Sequence, residues 1–188
     1  MAAFDEQEES RKRLDWEILR DGGINLYLRR EYLDEDIDWL RKQHYQVFLF
    51  DCTKWTSSEV MHADFARTLS FPSYYGRNLD ALHDCLEDDL FVPDIGGVAL
   101  VLNRIDIYVK AHAATLKPIE RTEAEIILDI FARATRYFLL TGRRFLTLLQ
   151  SDDPQIRFDK LACVIADWNR RERLYKNRGL DSWGKLRA

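Results

Sequence analysis

The chain has 188 residues, 46% of them hydrophobic and 12% aromatic, with a formal net charge of −4 at pH 7. This composition excludes a disordered or fibrous chain and suits one globular body, long enough to bury roughly two-thirds of its unfolded surface. Three cysteines (Cys52, Cys85, Cys163) argue against a disulfide framework, and no apolar run approaches the ~18 residues of a membrane span; a reduced, cytoplasmic protein without a leader segment is expected.

In chain order, Glu8 to Arg20 reads as an amphipathic helix with Leu14, Ile18 and Leu19 inward, stopped by Gly22-Gly23. INLYL (24–28) is a short strand candidate. Leu33 to Gln43 reads as a helix with Leu33, Ile37 and Leu40 on one side. QVFLFDC (46–52) is a continuous apolar run of the kind found in a sheet buried on both faces. Thr56 with Glu59 makes a capping box for a helix to Leu69, with Met61, Phe65 and Leu69 inward.

Beyond residue 96, GVALVLN (97–103) is a second β-rich run, and 105–116 is read as a short helix. Arg121 to Leu140 is the clearest helix, with Ile127, Ile130, Phe131, Ala134 and Phe138 facing one way and Gly142 as its cap. RFLTLLQ (144–150) is a third strand. Phe158 to Asn177 is predicted as a last helix, with Leu161, Ile165 and Trp168 inward and Arg170, Arg171, Arg173, Lys176 and Arg178 outward. Strands separated by helices predict an α/β fold with a small three-stranded parallel sheet covered by helices.

Charge is polarised along this layout. Residues 71–94 hold six acids (Asp80, Asp84, Glu87, Asp88, Asp89, Asp94) against Arg77, whereas residues 155–188 hold nine Lys/Arg against four acids. The basic cluster reads as a solvated helix face, with nucleic-acid binding or packing near the acidic face the lesser alternative.

The chain is organised around FPSYYGRNLDALHDCL (71–86). Phe71-Pro72 closes the preceding element, because proline excludes helical geometry in the residue before it. Gly76 is expected to take a positive φ in a tight loop carrying Tyr74 and Tyr75. Asn78 suits the N-cap of a helix that begins at Leu79. On that helix Leu79, Leu82 and Leu86 make a buried stripe, and Asp80, Asp84 and Asp88 make a second, acidic one. Like charges at that spacing cost an isolated helix a few tenths of a kcal/mol per pair. Tyr75 reads as a packed tyrosine that holds the loop, Cys85 as a small core filler and Trp168 as core.

The run Pro72, Tyr74, Tyr75, Gly76, Asn78, Leu79, Asp80, Ala81, Leu82, Asp84, Cys85, Leu86 resembles the loop and second helix of the barstar family, intracellular inhibitors of the ribonuclease barnase. A weaker likeness, in hydrophobic pattern, spans about 45–150. The resemblance implies a barstar-like body there, an N-terminal extension (1–44) and a basic helical C-terminal extension (151–188). It implies that Asp84 enters the cationic centre of a ribonuclease, with Asp80 beside it, Tyr74 and Asn78 as loop contacts and Gly76 giving the turn. Two departures stand out. His83 replaces a tryptophan, and Arg133 stands where the family has a glutamate that also meets the enzyme. Both imply a toxin-type ribonuclease target other than barnase.

No G-x-G-x-x-G, Walker loop, G-x-S-x-G or H-E-x-x-H occurs, so no cofactor is expected. Two alternatives stay open. One is an interaction domain that keeps the fold without inhibiting a ribonuclease. The other is a hydrolase or metal site built from His83, Asp80 and Asp84.

Overall fold

The three long apolar runs form neighbouring parallel strands, β2 (Tyr45–Asp51), β3 (Gly97–Asn103) and β4 (Phe145–Gln150), but β2 is an edge strand with Leu49 46% exposed and is not buried on both faces as its apolar run predicted. The protein was analysed as a computed structural model that describes residues 4, 13–112, 121–158, 161 and 164–174. The sheet has five strands, not the expected three. INLY becomes β1 (Ile24–Tyr27), which pairs with β4 through Ile24↔Thr147 to Tyr27↔Gln150. Asp167–Trp168 forms a short β5 on its other side, in the order β2-β3-β4-β1-β5. All pairings are parallel. The reason is burial. β4 is buried along its whole length, so its second edge needs a backbone partner, and β1 supplies it.

Side chains alternate across this sheet and divide the core in two. Ala99 and Val101 of β3 join Leu146 and Leu148 of β4 against one layer of helices. That layer is α1 (Leu14–Arg20) and α2 (Arg30–Lys42), which bury Leu14, Ile18, Leu33, Ile37 and Leu40. Val98, Leu100, Leu102, Phe145 and Leu149 face the opposite layer. There lie α3 (Ser58–Thr68), α4 (Leu79–Asp88), α5 (Ile105–His112) and α6 (Glu123–Leu140). Both faces are covered, which is why β3 could be so uniformly apolar.

Helix ends agree with the sequence in some places and move in others. α1 is followed by Gly22 and Gly23 at φ 110° and 83°, as its stop signal predicts; residues 8–12 of the expected helix lie outside the described residues. The N-cap of α3 is Ser57, whose side chain accepts from Val60 N, not Thr56 in a box with Glu59. The true capping box is at α6, where Thr122 and Glu125 exchange bonds. Gly142 at φ 79° closes α6, with Arg143 N donating to Phe138 O at 2.8 Å.

The C-terminal helix is overturned over its described part. Trp168 is buried as expected, but in β5, and Ile165 is 74% exposed rather than inward. Arg170, Arg171 and Arg173 do not form a solvated helix face; they pair with Glu17, with Glu35 and Asp36, and with Asp21 and Asp167. Their charge is thus spent mainly on N-terminal acids. Residues 175–188, including Lys176 and Arg178, lie outside the described residues, as does Cys163.

Candidate functional site

The loop between α3 and α4 is held from inside by Tyr75. Its ring packs 5.0 Å from Phe71, its amide donates to Pro72 O, and its hydroxyl lies 2.5 Å from His62 Nδ1. Both Tyr75 and His62 are buried. Tyr75 is therefore the anchor that the sequence suggested, and its neighbour Tyr74 points the other way, 71% exposed. The Tyr74 hydroxyl donates to Asp89 Oδ1, and that bond pushes its pKa up to about 12.

The turn itself differs from expectation. The positive φ belongs to Arg77 (50°), not to Gly76. Left-handed backbone costs a non-glycine residue roughly 1 kcal/mol. Gly76 lies close under the helix cap, where a Cβ would sit a tight 3.2 Å from Asn78 Nδ2 and 3.5 Å from Ala81 Cβ. Asn78 then caps α4, its Oδ1 accepting from Ala81 N at 2.8 Å, so its side chain is committed to the helix end.

On α4, Leu82, Cys85 and Leu86 are buried while Asp80, Asp84 and Asp88 are exposed. Burial pushes the Cys85 thiol up to about 11, which suits a core filler and not a nucleophile. His83 lies on the border. Its Nδ1 is 3.4 Å from Asp84 Oδ1 and its Nε2 is 3.3 Å from Glu87 Oε1, an acid of the same charged stretch that was not among the expected contacts. Among the described residues no group of three His, Cys, Asp or Glu is placed to hold a metal ion.

Asp80, His83 and Asp84 line one groove with Arg133, across the gap between α4 and α6. The groove has a volume of about 410 Å3, with Leu79, Ile126 and Ile130 as apolar lining and Arg121 and Asp129 on the α6 side. Arg121 donates to Asp129 and to Glu125 O, which holds its guanidinium on the α6 side. Arg133 is exposed and makes no ion pair among the described residues. Ile126, Asp129, Ile130 and Arg133 recur at i, i+3, i+4, i+7, so this wall was readable from spacing. Tyr74, Gly76 and Asn78 do not line the groove; they form the loop that leads into its α4 wall.

The acids of α4 stand apart electrostatically. Every other described aspartate lies in an ion pair with an arginine or lysine. Asp80, Asp84, Asp88 and the adjoining Asp89 have no such cation among the described residues; Asp84 meets only His83, and Asp89 meets Tyr74. The result is an uncompensated anionic face, bordered by an exposed tyrosine.

Comparison with known proteins bears on this face. The family described as Barstar (barnase inhibitor) matches residues 45–150. A Bacillus subtilis (strain 168) protein named "Putative ribonuclease inhibitor YrdF" is 53% identical over 38 residues, 20% of this chain. The matched stretch spans 42% of that relative. Among the described residues no helix is long and apolar enough to cross a membrane.

Proposed function

This chain belongs to the barstar (barnase inhibitor) family, and from that premise we propose that it binds a ribonuclease and occludes its active site with α4 and the preceding loop. The observation that carries the reading is that Asp80, Asp84, Asp88 and Asp89 have no arginine or lysine partner among the described residues, whereas every other described aspartate has one. An anionic row that no described cation neutralises is available to a cationic partner. A ribonuclease active site gathers cations to hold RNA phosphates, so such a row can stand in for the phosphates.

In this role Asp84, with a side chain 74% exposed, enters the cationic centre, and Asp80 follows one turn before it. Tyr74 contributes an aromatic contact at the rim. Asn78 acts by fixing the helix end, and Gly76 by leaving the loop room to close. The family description and the relative's printed name support a ribonuclease as the partner class. The finer proposal is a toxin-type ribonuclease held inactive by an immunity protein inside the cell that makes it.

The test is inhibition and binding against a panel of purified secreted and toxin-type ribonucleases. A member should be inhibited with an association rate that falls steeply with salt, because complementary charge steers encounter. Asp84→Ala should abolish that inhibition. Inhibition indifferent to Asp84→Ala, or none across the panel, overturns the proposal.

A further inference from the structure

We infer that the groove between α4 and α6 is a socket of two signs, taking from the ribonuclease a basic side chain on its α4 wall and a carboxylate on its α6 wall. This rests on the α4 face being the ribonuclease-binding surface and adds which charges the partner must bring. Asp80 and Asp84 line one wall and Arg133 the other, yet no ion pair joins them among the described residues. Of the remaining charges, Arg121 donates to Asp129, so the cation and the anion of α6 that are already joined are distinct from Arg133.

The lining fits the same occupant. Leu79, Ile126 and Ile130 give apolar surface, and about 410 Å3 admits the stem of one long side chain. A lysine or arginine can lay its methylenes over such surface while its head reaches the aspartates. Its neighbour on the ribonuclease must then be acidic, because Arg133 would otherwise face another cation. Like charges placed across an interface are how proteins reject wrong partners. A ribonuclease whose RNA-binding face is cationic across its whole width is therefore bound more weakly because of Arg133.

Barnase is the probe, since the family is described as its inhibitors. Arg133 is exposed and unpaired among the described residues, so its substitution leaves the fold intact. Arg133→Glu should inhibit barnase at least about tenfold more tightly than the unaltered protein, with Arg133→Gln between them. In a set of barnase variants that each change one Lys or Arg outside the catalytic centre to Glu, at least one should gain toward the unaltered protein. The same variant should lose toward Arg133→Glu. No gain from Arg133→Glu, including no inhibition by any variant, overturns the socket. Inhibition by Arg133→Glu that survives Asp84→Ala overturns instead the reading of the α4 face.

Discussion

Glu172 is a side chain whose loss should be felt across the fold. It is 2% exposed and sits on the turn after β5. Its carboxylate accepts from Leu28 N and Arg29 N at 3.0 Å each, and from Asn169 Nδ2 at 2.5 Å. Leu28 and Arg29 join β1 to α2, so one carboxylate ties the C-terminal segment to the start of the chain. Glu172→Ala strands two main-chain donors; the Asn169 amide keeps its bond to Leu26 O at 3.1 Å. A stranded donor costs about 1–3 kcal/mol when fully buried, and these two are partly buried, so the expected loss is at the low end of the summed range, about 2–3 kcal/mol. Against a typical total of about 5–15 kcal/mol, that is a large fraction. Glu172→Gln, which keeps a carbonyl acceptor, should fall between. The control is Arg170→Ala, whose partly exposed pair with Glu17 at 3.2 Å is worth under about 1 kcal/mol. Urea unfolding followed by circular dichroism measures all three. Equal losses for Glu172→Ala and Arg170→Ala would refute the assignment of Glu172 as a clasp.

Three further outcomes are expected. Against its target ribonuclease, Asp84→Ala should lose on the order of 2–5 kcal/mol of binding free energy. Asp88→Ala, one turn further along α4, should lose under about 1 kcal/mol, and equal small losses by titration calorimetry would reduce the acidic row to a solvated face. The second outcome concerns His62, whose burial lowers its pKa below the ordinary value. Its cation is disfavoured in the folded state, so the unfolded chain binds the extra proton first as pH falls. The associated stability is present above the ordinary histidine range and drains away from there down through the lowered folded value. Urea midpoints measured from pH 7 to pH 5 should fall for the unaltered protein and fall less for His62→Gln; parallel curves would show that His62 does not report on the loop. Thirdly, purified protein should leave RNA intact with or without divalent cations, and metal-dependent cleavage lost in Asp80→Asn would overturn the inhibitor reading.

Much of the layout was legible because its signals are local. Continuous apolar runs gave β2, β3 and β4, and the 3.6-residue spacing gave α2, α4 and α6 with their inward faces. Asn78 as N-cap followed from its place before an amphipathic run. Pairing partners were not local. The strand count of three missed β1 as a sheet member, because which strand seals the edge of β4 depends on a contact between Ile24 and Thr147. β5 has two residues, too short to show any period, and Leu161, Ile165 and Trp168 imitated helical spacing across it. At the site, the acidic stripe and Arg133 were readable. The lack of an arginine or lysine partner for those acids among the described residues was not, since it depends on where each described arginine goes.

The strand order has a consequence for how the chain acquires its shape. β1 leaves the ribosome early, but its hydrogen-bonding neighbours are β4 and β5, more than a hundred residues later, so Ile24 must wait for Thr147. Until then Ile24, Leu26 and Tyr27, all buried in the finished fold, have no sheet to join. Meanwhile β2 and β3 lie nearer each other in the chain and can pair first. The acidic helix α4 packs chiefly on α6 (Glu123–Leu140), so it too waits for a later part of the chain. A chain cut short before Phe145 leaves a strand without its place, exposed to pairing with other unfinished copies.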